Sequence, residues 1–275
     1  MSGRPSDGPS GWNGPGREGK ITGLPHVSQA PCSYPGEPIT RRDVRVVLAA
    51  VSLVLLVIPF ALTLLLVEDR WAPLLRVDQG ARDDLHRYAM THPGFVTAMR
   101  LISDFGSAVT WIVILTPVVA WLLWRGLPRL ALFVVVTAAG SSLLNLLVKT
   151  AVHRLRPVLT DPVARARGLS FPSAHAQAAV VGYGVLLLVF WSILHGVWRR
   201  CAVAFAVVGV LAIGFSRIAL GVHYVSDVWG GFVLGAAWVA ATAAGFNMGA
   251  SMRGDVQRRI GRSGGGQPLG GTLGR

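Results

Sequence analysis

Phe171-Pro172-Ser173-Ala174-His175, followed at once by the apolar run Ala176–Leu194, sets the pattern for the whole chain. A short polar cluster stands at the end of a segment about long enough to cross a bilayer. The pattern occurs twice more. Lys149-Thr-Ala-Val-His-Arg-Leu-Arg156-Pro157 follows the run Leu130–Val148, and Ser216-Arg217-Ile-Ala-Leu-Gly221-Val-His223-Tyr-Val-Ser-Asp227 joins Ala202–Ile218 to Val228–Phe246. A cation in or beside hydrocarbon is costly, so charge placed there points to function. Lys and Arg with two His and one Asp suit the binding and transfer of a phosphoryl group.

Outward from these clusters, the composition is that of an integral membrane protein. Apolar residues make up 52% of the 275 and charged residues only 14%, well below the roughly one quarter usual in soluble domains. Two further apolar runs, Val44–Val67 and Ser107–Trp124, complete a set of six. Each approaches the ~20 residues that span the hydrocarbon core, and none carries the polar stripe of a surface helix. The predicted fold class is all-α: a six-transmembrane-helix bundle over 44–248. Trp121, Trp124, Trp191 and Trp198 fall near run ends, as interfacial aromatics do.

Between the first two runs, 68–106 is predicted to form an external interfacial segment. Leu85, Tyr88, Phe95, Met99 and Ile102 are interleaved there with Asp83, Asp84, Arg87 and Arg100. Pro93 should split the segment into two short helices lying on the membrane surface, with a packed external loop as the alternative. Residues 1–43, rich in Gly, Pro and Ser, and the basic stretch 249–275 cannot bury enough surface to offset their ordering entropy, so both are expected to be disordered tails.

The net charge is +13, from 26 Lys and Arg against 13 Asp and Glu. Arg41, Arg42, Arg45, Arg125, Arg129, Arg199, Arg200, Arg253, Arg258 and Arg259 all fall on one side of six crossings, which makes that side and both tails cytoplasmic. The three clusters then face the other side of the plasma membrane. Of the basic residues only Lys20 and Lys149 are lysines. Cys32 and Cys201 have no metal-site spacing and should stay reduced. No P-loop, dinucleotide fingerprint or internal repeat is seen, and nothing indicates nucleic-acid binding.

Together the clusters closely resemble the three-part signature of the type 2 phosphatidic acid phosphatase superfamily: Lys-x6-Arg-Pro, Pro-Ser-Gly-His and Ser-Arg-x5-His-x3-Asp. Every position of the first and third parts matches; in the second, Ala174 stands where Gly is usual. The resemblance covers roughly Leu130 to Phe246. It implies a membrane-bound lipid phosphatase working without a metal or other cofactor. His223 would be the nucleophile, Asp227 its orienting carboxylate, and His175 the group that protonates the leaving oxygen and then activates water against a phosphohistidine.

The residue chemistry supports the same assignment. Catalysis of phosphoryl transfer is mostly positioning and electrostatics. Lys149, Arg156 and Arg217 can surround three phosphoryl oxygens, with Ser173 and the N–H groups of Ala174 and His175 at a helix start. His223 and Asp227, four apart, would share one helical face, and Asp227 could then fix the imidazole tautomer. Taken singly, Arg156 and Arg217 read as snorkelling anchors and His175 as a structural polar contact; their order and company favour a site. Arg154 could face phosphate or solvent, Asn145 should hold helix contacts, and Ser216 and Gly221 could support backbone approach to the phosphate.

The expected activity is hydrolysis of a lipid phosphomonoester or pyrophosphate, such as undecaprenyl pyrophosphate, phosphatidic acid or phosphatidylglycerol phosphate. A lipid phosphotransferase using the same site, and a non-catalytic membrane binding protein, are the alternatives. The expected partners are the lipid phosphate and membrane lipids; nothing in the sequence fixes an oligomeric state.

Overall fold

The computed structural model describes residues 41–246 apart from 160 and 165, with most side chains before Leu56 also left aside. Of the expected tails, 1–43 and 249–275, Arg41, Arg42 and Asp43 open the first helix, while residues 1–40 and 249–275 lie outside the described residues. Those residues form eight helices and no strand: α1 Arg41–Glu68, α2 Ala72–Thr91, α3 Pro93–Asp104, α4 Ala108–Trp124, α5 Pro128–Val152, α6 Ala174–Phe190, α7 Val197–Ala219 and α8 Val225–Gly245. All six apolar runs are helical, and Pro93 divides the intervening segment as its fixed φ and missing N–H require, standing at the start of α3.

Local chemistry sets the ends. Ser107 caps α4 by accepting from the Thr110 N–H at 3.1 Å. Pro128 opens α5, and His153 closes it in the left-handed region at φ 52. At the end of α7, Gly221 takes φ +68. Its N–H bonds the Ile218 carbonyl while the Val222 N–H bonds that of Arg217. This is a Schellman close, and it turns the chain straight toward His223.

Three helices, α5, α7 and α8, are long and apolar enough to cross a membrane, and α3 with α4, bent by 41° at their junction, would make a fourth. Leu56–Glu68 of α1 and the 17-residue α6 are shorter apolar helices. Outward-facing Val109, Ile112, Val113, Leu143, Leu146, Val208 and Leu211 are exposed, an apolar surface that hydrocarbon would cover. The run expected over Ala176–Leu194 stops short at Phe190, where a turn begins, while α7 starts five residues before Ala202 and takes in Arg199 and Arg200.

α8 is the centre of the bundle, packed along α6 and α1. Gly231 and Gly235 allow this: a side chain at either would press on the Ser173 and Gln177 carbonyls of α6. Small residues at a helix interface bring backbones close. A backbone bond from the Ser173 N–H to the Asp227 carbonyl, 2.9 Å, fastens the starts of the two helices. α2 and α3 lie across the end of α7, where Ala89, Val96 and Met99 pack on Ala219, Leu220 and Val222, with Leu85, Phe95 and Ile102 around them. Tyr88 stays half exposed, stacked on His92.

Candidate active site

The sequence clusters converge at the end of the bundle where α5 and α7 finish and α6 and α8 begin. His223 is 1% and Asp227 0% exposed. His223 is not on one helical face with Asp227, as their spacing suggested. It precedes α8 by two residues, and Asp227 in the first turn reaches back to it, Oδ2 to Nδ1 at 3.4 Å. The pairing expected from a helix is therefore made by a helix start.

The imidazole tautomer follows from its other neighbour. Arg156 Nη1 lies 3.0 Å from His223 Nε2. A guanidinium can only donate, so Nε2 accepts and the ring proton sits on Nδ1, facing the Asp227 carboxylate. Burial pushes the His223 imidazole down to about 4, although Asp227 pulls the other way. The ring is thus neutral near pH 7, with its lone pair on Nε2.

Asp227 is held by more than His223. Its Oδ1 accepts from Arg154 Nη1 at 2.6 Å, and its Oδ2 accepts from the Tyr224 N–H at 2.9 Å and from the Ser170 hydroxyl. A carboxylate accepting from so many donors stays ionised.

The cations gather on the other side of the imidazole. Arg156 is fixed by the Gly168 carbonyl at 3.0 Å and the Val222 carbonyl at 2.8 Å. Lys149, in the last turn of α5, donates to the Leu169 carbonyl at 3.1 Å. Arg217, in the last turn of α7, donates from Nη1 to Ser103 of α3. The charged groups within electrostatic reach of His175 are Arg217, His223, Lys149 and Arg156. Two buried groups here, Ser173 Oγ and Arg217 Nε, have no hydrogen-bond partner among the described residues. Such groups are rare, and they call for a partner that the protein itself does not supply. A cavity of about 310 Å³ is lined in part by Arg217 and Ser103, and one of about 660 Å³ in part by Arg156 and Val222.

Ser173 occupies the N-cap position of α6 but its hydroxyl does not cap the helix. Ala174 is the first helical residue and is absent from the described residues with positive φ. The Phe171–Pro172 bond before them is cis. Ser216 does not turn its hydroxyl toward the cluster; it donates to the Ile213 carbonyl at 2.7 Å. Asn145 bridges α5 to α6 by donating to Gln177 Oε1 at 2.7 Å.

Arg154, whose sequence position left phosphate or solvent open, is turned to two carboxylates. It bridges Asp227 and Asp78, and its guanidinium lies 4.4 Å from the Tyr224 ring centre. Asp78, Ser170 and Ser103 were not anticipated. Asp78 stands on α2 among Arg76, Arg82, Asp83 and Asp84, and only the fold shows it to be fully buried. Among the described residues, no three or more His, Cys, Asp and Glu are grouped as a metal would need.

Comparisons with known proteins bear on the family and the fold. The PAP2 superfamily model matches residues 130–249. Phosphatidylglycerophosphatase B of Bacillus subtilis is 35% identical over 114 residues, 41% of this chain and 53% of that protein; the match thus spans about half of that relative's length. Decaprenylphosphoryl-5-phosphoribose phosphatase of Mycobacterium tuberculosis is 34% identical over 151 residues, 52% of this chain and 76% of that one. The crystal structure of a transmembrane PAP2-type phosphatidylglycerolphosphate phosphatase from Bacillus subtilis shares the fold, with TM-score 0.61 at 22% identity over 71% of this chain and 96% of its own. With these relatives and the three matched clusters, the chain belongs to the PAP2 superfamily.

Proposed function

We propose that the protein is a membrane lipid phosphatase that cleaves a phosphomonoester or pyrophosphate through a phosphohistidine. The observation that carries the reading is the placement of the buried His223, Nδ1 3.4 Å from Asp227 Oδ2 and Nε2 3.0 Å from Arg156 Nη1, which puts the ring proton on Nδ1 and leaves the lone pair on Nε2. Nε2 attacks phosphorus in line. Lys149, Arg156 and Arg217 take up charge on the equatorial oxygens, joined by Ser173 Oγ and the first N–H groups of α6. With a phosphate among these cations to offset their charge, His175 takes up a proton and gives it to the departing lipid oxygen. It then removes a proton from water as that water attacks the phosphohistidine, which frees inorganic phosphate and restores His223.

The relatives' names supply the substrate candidates, phosphatidylglycerol phosphate and a decaprenylphosphoryl phosphoribose, beside phosphatidic acid and undecaprenyl pyrophosphate. All four are amphiphiles, which suits a site at the end of an apolar bundle. Six crossings, with the site on the extracytoplasmic side and both tails cytoplasmic, fit the basic residues at the opposite span ends. Cys201 is exposed near that opposite end. In a Cys32→Ser background a membrane-impermeant maleimide should label it only after the cells are permeabilised.

The deciding experiment offers each lipid to purified protein and measures free phosphate against phosphorylated acceptor. Free phosphate from at least one lipid is expected, with inhibition by vanadate, whose trigonal-bipyramidal form mimics the transition state. Phosphate appearing only on a second lipid would make the protein a transferase. No turnover of any lipid would remove the catalytic reading.

A further inference from the structure

We propose that Asp78 of α2 and Arg154 are positioning residues that hold the Asp227 carboxylate, and through it the His223 imidazole, in the attacking geometry. The role rests on the phosphatase reading, but its structural basis does not.

Asp78 is fully buried although it belongs to a helix whose other charges are exposed or half-exposed. Its Oδ1 accepts from the Ser226 N–H at 2.9 Å, in the first turn of α8, and its Oδ2 accepts from Arg154 Nη2 at 2.8 Å. The Ser226 hydroxyl joins the same group, within hydrogen-bond distance of Asp78 Oδ2 and of Arg154 Nη1. From Arg154 the chain of bonds passes to Asp227 Oδ1. One guanidinium is therefore shared between two buried carboxylates with its face on Tyr224.

Two buried anions this close are tolerable only with a cation between them. The bidentate fork of Arg sets the direction of both carboxylates as well as neutralising them. The bond from Asp227 to His223, at 3.4 Å, is longer than its bonds to Arg154 and the Tyr224 N–H. The carboxylate is thus placed by its other partners, and the imidazole follows it. The two ends of the Arg154 guanidinium are taken by Asp227 and Asp78 and its face by Tyr224, so it acts on the reaction through Asp227 rather than on the phosphate. The bridge also makes α2, which lies outside all three sequence clusters, part of the site.

The test uses Asp78→Asn and Arg154→Gln in the full-length protein. Turnover number should fall about 10- to 100-fold in each, while KM and the inhibition constant of inorganic phosphate stay within about threefold. Turnover is expressed per folded molecule, counted by gel filtration and circular dichroism, because a loss of folded protein would by itself lower apparent turnover at unchanged KM. The double variant should be little worse than the more damaged single one, as expected of residues acting as a unit. A direct readout is ¹⁵N NMR of labelled histidine in the resting protein, with the His223 resonance assigned by its loss in His223→Gln. The wild type should hold the Nδ1–H form. Arg154→Gln should raise the His223 titration by about one pH unit, because Asp227 loses its compensating charge while Arg156 and Arg217 around His223, and His175 and Lys149 nearby, are unchanged. Should either variant fail to purify, Asp78→Glu and Arg154→Lys keep both charges but not the geometry, and the same split is expected. Unchanged turnover with only a lower Tm would reduce the bridge to a structural role, and a selective rise in the phosphate constant would make Arg154 a ligand. Inactive wild type with a normal His223 signal would refute the phosphatase reading and leave the positioning of the imidazole standing.

Discussion

The two halves of this bundle are stabilised in different ways. Away from the site, α4, α5 and α6 meet through Trp111, Leu115, Leu122, Phe133, Val134, Val181, Val185 and Val189, all buried. At the site end, Asp78, Asp227, His223, Ser173 and Arg217 are equally buried but carry charge or hydrogen-bonding atoms. In a bilayer the apolar half gains little from leaving lipid for protein, since both are apolar, and depends on close packing. The polar half depends on each group finding its partner. The first should tolerate change in proportion to volume lost. The second should respond sharply and unevenly, according to which bond is cut.

The largest effect is expected from His223→Ala. It removes the attacking atom and should lower turnover by at least about 10³-fold, with the helical circular dichroism retained. Near-wild-type phosphate release would exclude His223 as nucleophile. Asp227→Asn should cost less than His223→Ala, because it loosens and mis-tautomerises the ring without deleting it. Equal losses from both would give Asp227 a role beyond orientation.

A pH change tests the same end of the molecule without mutation. His223 titrates near 6.5 when unfolded and at about 4 in the fold, where burial disfavours its charge. The nucleophile therefore remains neutral well below pH 6.5, and its acid limb in kcat/KM should have a midpoint near 4. Stability runs the other way. As pH falls from 6.5 to 4 the unfolded chain takes up a proton that the fold refuses, so this site's contribution to stability declines across that window. An acid limb centred at 6.5 would mean that the imidazole is solvated.

Phe133→Ala sharpens the contrast from the other half. Phe133 is fully buried and meets Phe246 edge-on, ring centres 5.6 Å apart. Removing the ring should lower stability by about 2 kcal/mol through lost packing, with kcat/KM of the surviving molecules unchanged. A loss of kcat/KM as large as that of Asp227→Asn would show that the two halves are not separable.

What the sequence disclosed divides along the same line. Apolar runs report helices directly, because hydropathy acts locally, and all six runs are helical. The residues of the three clusters could be named because their spacing is fixed along the chain. The grip on Asp227 could not. Asp78 lies 149 residues before it, on a helix where Arg76, Arg82, Asp83 and Asp84 give the same polar pattern. Ser170 lies just ahead of a motif and reaches Asp227 only because the α5–α6 connection folds back. Arg154 shows the difficulty most clearly: its position two residues before Arg156 left phosphate and solvent open, and the fold turns it to two carboxylates.

The smallest expected effect is at Ala174, the one departure from the family pattern. Gly permits closer backbone approach and positive φ, and would be needed if the chain turned sharply here. It does not: Ala174 opens α6 with ordinary helical geometry, behind Ser173 at φ −68. Ala costs no backbone strain in that position and favours the helix over Gly by up to about 1 kcal/mol. Its methyl group leaves the N–H direction unchanged, so the donors at the helix start remain available to phosphate. Ala174→Gly should therefore change kcat/KM by less than about tenfold, or about 1.4 kcal/mol of barrier, with a slightly lower Tm. A hundredfold gain would mean that the methyl group obstructs the phosphate, and that the site as it stands is a weakened one better suited to binding than to turnover.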